Sequence, residues 1–211
     1  SPRNIVVIIS GRRAADLNAW FESVPGLWLA AEHGGFLRQP GGTWAPLNPP
    51  SPEWKERVRP VLEHFVERTP GSFVEEKELS LTWHYRLADP EYGQWLANEL
   101  GATLDGMLAE TDLRPIRGNK TVEIRPIWAN KGSAARRVLD TVGDVDFRFA
   151  AGDDRTDEDL FSALESEDWT VRVGSTTTRA RFSVPDGRAV RALLERFASI
   201  DAADSAGVAG A

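Results

Sequence analysis

The residues best suited to chemistry lie in one short acidic run, Gly152-Asp153-Asp154-Arg155-Thr156-Asp157-Glu158-Asp159. The apolar alternation at 145–151 predicts a buried strand before it. Residues 157–164 predict a helix after it, with Thr156 and Asp159 spaced as a capping box. The carboxylates then sit on the turn at a strand's carboxyl end, where open α/β sheets place their sites. Such a turn suits a hard cation such as Mg²⁺, which takes one or two carboxylates, waters and a substrate phosphate. Asp153 is the candidate direct ligand. Asp157, four residues on, faces the same side of the turn, and Asp154 is a further candidate. The competing reading is an acidic helix start favoured by the helix dipole. A calcium loop of EF-hand type is excluded, because its Gly and closing Glu are not at the required positions.

Two other segments bear on this choice. The run Ile5-Val-Val-Ile-Ile9 is a strand followed at once by Ser10-Gly11-Arg12. A hydroxyl and a glycine at a strand end let backbone amides and an Oγ approach a phosphate. Lys131-Gly132-Ser133 opens a helix with an apolar face of Ala134, Ala135, Val138, Leu139 and Val142. A lysine at a helix start is unfavourable for the dipole unless it meets an anion.

The order Ser, Lys, Asp cluster resembles the haloacid-dehalogenase-like phosphatases. The strings Ile9-Ser-Gly-Arg12, Ala31-Glu-His-Gly-Gly35, Trp83-His-Tyr-Arg86, Val122-Glu-Ile-Arg-Pro126, Asn130-Lys-Gly132 and Gly152-Asp-Asp-Arg-Thr-Asp-Glu158 resemble the trehalose-6-phosphate phosphatase family. The likeness is to the phosphatase part of fused synthase/phosphatase chains and spans roughly residues 4–197. It implies a Rossmann-like α/β core of haloacid-dehalogenase type with an inserted α+β cap. It also implies a nucleophilic Asp in an Asp-x-Asp-Gly-Thr string on a preceding strand. No Asp-x-Asp-Gly string occurs in these 211 residues, so the expected fragment lacks the first core strand and is inactive alone.

The resemblance assigns further roles. Ser10, Gly11 and Lys131 are expected at the phosphoryl group, with Mg²⁺ on Asp153, Asp154 and Asp157. Trehalose 6-phosphate is the implied substrate, with a synthase as a fused or associated partner. Glu75 and Lys77, two apart on a predicted strand, would share one face, and Glu123 and Arg125 repeat that spacing. Spacing alone favours a solvated sheet face for such pairs. The resemblance instead implies that Glu75, Lys77, Glu32, His33, Gly34, Glu123 and Arg125 hold sugar. His33, like His84, equally fits a packed histidine.

The elements that must position these residues divide at Pro-rich seams. Residues 1–48 read as the first part of the core: strand, helix (Leu17, Trp20, Phe21, Val24), strand, and a hairpin turned by Gly41-Gly42. Residues 49–125 read as the cap. It holds a helix from Trp54 to Val66, strands in 72–86, a helix 90–101, a further short helix, and a hairpin at Gly118-Asn119. Residues 126–200 return to the α/β pattern and end in a helix on Val190, Leu193, Leu194 and Phe197, leaving 201–211 as a flexible tail. Trp20, Trp54 and Trp95 are expected in cores.

Composition narrows the class. The net charge of −7 argues against nucleic acid, whose binders carry basic patches. No apolar run nears the roughly 20 residues that cross a bilayer. The absence of cysteine excludes disulfides and thiolate metal sites and fits a cytoplasmic setting. The alternatives are a phosphatase-like module that binds without turnover, or a phosphatase for a related sugar phosphate such as sucrose phosphate.

Overall fold

The computed structural model describes residues 4–49 and 51–208, with side chains to Ile200. The fold is mixed α/β, and contacts divide it into one unit of residues 8–129 and another of 1–7 with 130–211.

In the first unit, β1 (Val6–Ile9), which begins two residues earlier, leads through α1 (Ala14–Phe21) to β2 (Leu27–Ala31). A short 3₁₀ turn, Glu32–Gly34, connects β2 to β3 (Phe36–Arg38) and β4 (Ala45–Pro46), giving the sheet order β1-β2-β3-β4. Leu17, Leu29, Ala31, Phe36, Leu79 and Ala129 form the core of this part. The expected strand–helix–strand–hairpin order is present. Trp20, however, is 53% exposed. The eight-residue α1 buries only Leu17, and Trp20 is covered instead by the Arg12 guanidinium, 4.6 Å from its ring centroid.

The rest of this unit is a second sheet, β5 (Phe73–Glu76), β6 (Leu81–His84), β7 (Leu113–Gly118) and β8 (Thr121–Pro126), in the order β5-β6-β8-β7. Helices α2 (Glu53–Arg68) and α3 (Pro90–Leu108) pack on it. Strand alternation separates its faces. Trp83, Leu81, Val122 and Ile124 join Trp54, Val58, Leu62, Leu96, Leu100 and Leu104 in one buried cluster. The opposite face carries Glu75, Thr82, His84, Glu123 and Arg125. Two expectations change here. The helix at 90–101 and its short successor are one helix, because Leu96, Leu100, Leu104 and Leu108 continue one buried stripe. Trp95 lies beside that stripe, 56% exposed, and stacks on Tyr92. Asp89 starts α3 by accepting from the amides of Glu91 and Tyr92, with Pro90 at its first position.

In the other unit, β9 (Phe149–Gly152), β10 (Trp169–Val173) and β11 (Phe182–Val184) are parallel, in the order β11-β10-β9. Helices α4 (Lys131–Val142), α5 (Asp157–Phe161) and α6 (Gly187–Val208) complete it. The strand expected at 145–151 begins only at Phe149, where β10 offers its first partner, Trp169. The helix expected at 157–164 ends at Phe161, and the Ser162 hydroxyl donates back to the Glu158 carbonyl at 2.6 Å. The backbone of 201–208 continues α6 where a flexible tail was expected; 209–211 lie outside the described residues.

Candidate functional site

Within residues 8–129, the turn after β1 is stitched to the end of β2. The Ser10 amide donates to the Ala30 carbonyl, the Glu32 amide to Arg12, and the His33 amide to Ser10, at 2.8–2.9 Å. Ser10 Oγ accepts weakly from the Arg12 amide at 3.3 Å. A Cβ at Gly11 would overlap the His33 ring, so glycine there is what admits the imidazole. Glu32 (φ 47°) and His33 (φ 61°) hold left-handed backbones. That conformation is rare without glycine and is tolerated where surrounding contacts over-determine it.

The second sheet meets this turn. Lys77 Nζ donates to the Gly11 carbonyl at 3.0 Å. Arg13 Nη2 donates to the Glu76 carbonyl at 2.7 Å and reaches Glu75 Oε1 at 3.3 Å. His33 Nε2 lies 3.4 Å from Glu123 Oε2. Register explains the convergence: Thr82 pairs with Glu75 on one side and Glu123 on the other, so the three form a row on one face. Lys77 is not on the strand, as its spacing suggested. It falls just past β5 in a turn where its amide donates to the Ser80 carbonyl. Its neighbour Glu76 points the other way, and its carboxyl is held below the ordinary range by Lys55 and Arg59.

Glu32 and Arg125, two expected sugar contacts, are buried and bonded within the protein. Glu32 is 6% exposed, and its oxygens accept from the amides of Glu78 (3.2 Å) and Leu79 (2.8 Å). Burial raises its carboxyl above the ordinary value, and those amides offset part of the rise. Arg125, 2% exposed, donates to the Ala129 carbonyl and lies 3.8 Å from Glu123. It fixes Glu123 and the end of β8. Gly34 is buried at φ 101°, in the loop that carries His33.

In the unit of 1–7 and 130–211, Asn130 caps α4 by accepting from the Ser133 amide at 2.9 Å. This places Lys131 in the first turn. A Cβ at Gly132 would overlap the Asp159 carbonyl, so the glycine lets α4 lie close against α5. Lys131 Nζ then donates to Asp157 Oδ1 at 2.6 Å, and Asp157 Oδ2 accepts from the Asp154 amide at 2.7 Å. Gly152 gives the buried Asp157 carboxylate its space, since a Cβ there would overlap it. Asp157 thus anchors the acidic turn. The capping box expected of Thr156 and Asp159 is absent, with no side-chain bond from Thr156.

Sequence reasoning missed the supports of this turn. Buried Arg172, from β10, donates to the Asp154 carbonyl at 2.8 Å. Glu158 accepts from the Thr178 hydroxyl and the Arg179 amide. Only the parallel pairing of β9 with β10 brings Arg172 there. Among the described residues, no three His, Asp or Glu side chains are grouped to hold a metal ion by themselves. Asp153 and Asp154 are exposed after β9. Two exposed carboxylates there fit a hard cation that fills its remaining positions with water and substrate oxygens.

The family model described as "Trehalose-phosphatase" matches residues 1–196. The chain belongs to the trehalose-phosphatase family. It is 42% identical over 196 residues, 93% of its length, to a bifunctional trehalose-6-phosphate synthase/phosphatase of Thermoproteus tenax, covering 26% of that protein. A trehalose-phosphatase of Schizosaccharomyces pombe is 42% identical over 185 residues, 85% of this chain and 22% of that protein. The chain thus spans about a quarter of the length of these relatives. Among solved structures, the Candida albicans trehalose-6-phosphate phosphatase C-terminal domain aligns with a TM-score of 0.78 at 32% identity, covering 90% of this chain and 76% of that one. The Aspergillus fumigatus enzyme aligns at 0.67 and 39%, with the same coverages. No helix among the described residues of this family member is long and apolar enough to cross a membrane.

Proposed function

We propose that these 211 residues are the substrate-recognising part of a Mg²⁺-dependent phosphatase acting on trehalose 6-phosphate in trehalose biosynthesis. Residues 1–48 and 126–200 serve as a haloacid-dehalogenase-type core and 49–125 as its cap. The observation that carries this reading is the meeting of Lys77 with Gly11, Glu75 with Arg13, and Glu123 with His33. Charged side chains of one sheet and of the turn after β5 gather at a turn suited to phosphate, the arrangement a phosphorylated sugar needs. The names of the relatives point to the same substrate.

Each group has a task. Ser10 and Gly11 offer a hydroxyl and a backbone to a phosphoryl oxygen. Lys131 contributes positive charge toward the group being transferred. Asp153 and Asp154 would hold Mg²⁺, which when bound neutralises phosphoryl charge. Glu75, Lys77 and Glu123 read the sugar hydroxyls. The attacking carboxylate is not among these residues, since no Asp-x-Asp-Gly string occurs. The alternative reading is a module that binds the sugar phosphate without turnover. A synthase partner and a cytoplasmic setting accompany both readings.

Calorimetric titration of this chain with trehalose 6-phosphate, sucrose 6-phosphate and inorganic phosphate in Mg²⁺ tests the substrate. Preference for trehalose 6-phosphate is expected, with no phosphate released from it. Equal binding of both sugar phosphates overturns the assignment. Turnover by this chain alone would require another Asp to attack. Joining an Asp-x-Asp-Gly segment separates the two readings, because only the enzyme then hydrolyses.

A further inference from the structure

Glu75 is held from two sides. Its Oε1 lies 3.3 Å from Arg13 Nη2, and its Oε2 lies 3.0 Å from His84 Nε2. Glu75 pairs with Thr82 in the β5–β6 ladder, and His84 stands two residues beyond Thr82 on the same face. The two side chains are therefore diagonal neighbours across antiparallel strands, within reach of long side chains. The partner directly opposite His84 is Phe73, and their rings stack at 4.8 Å with an interplanar angle of 8°. The stack fixes the imidazole plane and so the direction of Nε2. Facing a carboxylate, Nε2 is the protonated nitrogen that donates, which sets the tautomer.

We propose that His84 is a positioning residue for substrate recognition, aiming the Glu75 carboxylate at a sugar hydroxyl and acting only through Glu75. This rests on the sugar-reading role given to Glu75 above. Arg13 is half exposed and also serves the Glu76 carbonyl, so it restrains Glu75 less firmly than the stacked imidazole does. A carboxylate fixed in its bound rotamer loses less side-chain freedom when the sugar arrives. Glutamine can place its Nε2 amide where the imidazole Nε2–H lies, so it should preserve the bond, whereas alanine removes it.

The test is a double-variant cycle read by calorimetric binding to the 211-residue chain in Mg²⁺, with inorganic phosphate as the control. His84→Ala should weaken trehalose 6-phosphate binding by about tenfold, the loss of one charged hydrogen bond. Phosphate binding should be unchanged, which also reports that the fold is intact. His84→Gln should retain most of the affinity. The variant with both Glu75→Ala and His84→Ala should bind no more weakly than Glu75→Ala alone. Additive losses in the double variant, or a Gln variant as weak as the Ala variant, overturn the positioning role and leave the function standing. Failure of the unaltered chain to bind trehalose 6-phosphate overturns the functional reading, and this inference falls with it.

Discussion

Lys131 and Asp157, at the starts of consecutive helices, form a buried ion pair with Nζ and Oδ1 2.6 Å apart and side chains 11% and 5% exposed. The same carboxylate holds the Asp154 amide, so one residue positions the lysine and shapes the acidic turn. Removing one partner of a buried pair strands the other charge. Asp157→Ala should therefore lower unfolding stability by about 3–5 kcal/mol. Adding Lys131→Met should recover part of that loss. Urea denaturation of both variants checks this, and a near-neutral Asp157→Ala would show that the pair is not what holds the turn.

Asp153 leads into that turn but is exposed, so its removal should leave the fold alone. Asp153→Asn is expected to keep the urea midpoint of the unaltered chain and to weaken Mg²⁺ binding measured by calorimetry, since hard cations need anionic oxygens. Unchanged Mg²⁺ affinity would take Asp153 out of the cation's shell.

Glu75 and Lys77 contact the turn after β1 and no reacting atom, so their loss should appear in substrate discrimination. In a longer protein bearing the Asp-x-Asp-Gly segment, Glu75→Ala and Lys77→Ala should each reduce hydrolysis of trehalose 6-phosphate roughly tenfold or more. Hydrolysis of a small aryl phosphate, which cannot reach these residues, should barely change. Equal losses on both substrates would indicate misfolding or a direct role in the reaction.

Glu32 predicts a pH dependence. Burial raises its carboxyl above the ordinary value of 4.5, so the folded protein holds that proton more tightly than the unfolded chain. Its contribution is fully present below pH 4.5 and is lost as pH rises through the raised value. The difference in urea stability between the unaltered protein and Glu32→Gln should follow that fall, because the variant lacks the titration. A pH-independent difference would mean that Glu32 titrates alike folded and unfolded.

Much of this was legible in the sequence because it is local. The acidic run between β9 and α5, the Asn130-Lys-Gly start of α4, and Ser10-Gly11 after β1 are set by strand and helix periodicity and by backbone demands acting over a few residues. The capping box of Thr156 was misread because local spacing is blind to backbone conformation. Thr156 holds a helical backbone (φ −70°, ψ −13°), whereas a capping residue needs an extended one to turn its hydroxyl onto the first-turn amides.

The sequence by itself determined the family, the α/β pattern and which residue types could meet a phosphate or a cation. The tertiary structure decided which side chains and backbone groups each of them meets. Period-2 spacing put Glu123 and Arg125 on one side of β8, but only packing left Arg125 buried against Ala129 and turned Glu123 toward His33. Nothing in the motif around Glu32 showed that its oxygens accept from the amides of Glu78 and Leu79, 46 and 47 positions away. His84 could not be told from a packed histidine until strand register set it beside Glu75. Hydrogen-bond partners distant in sequence are fixed by register and by burial, and neither is written in local spacing.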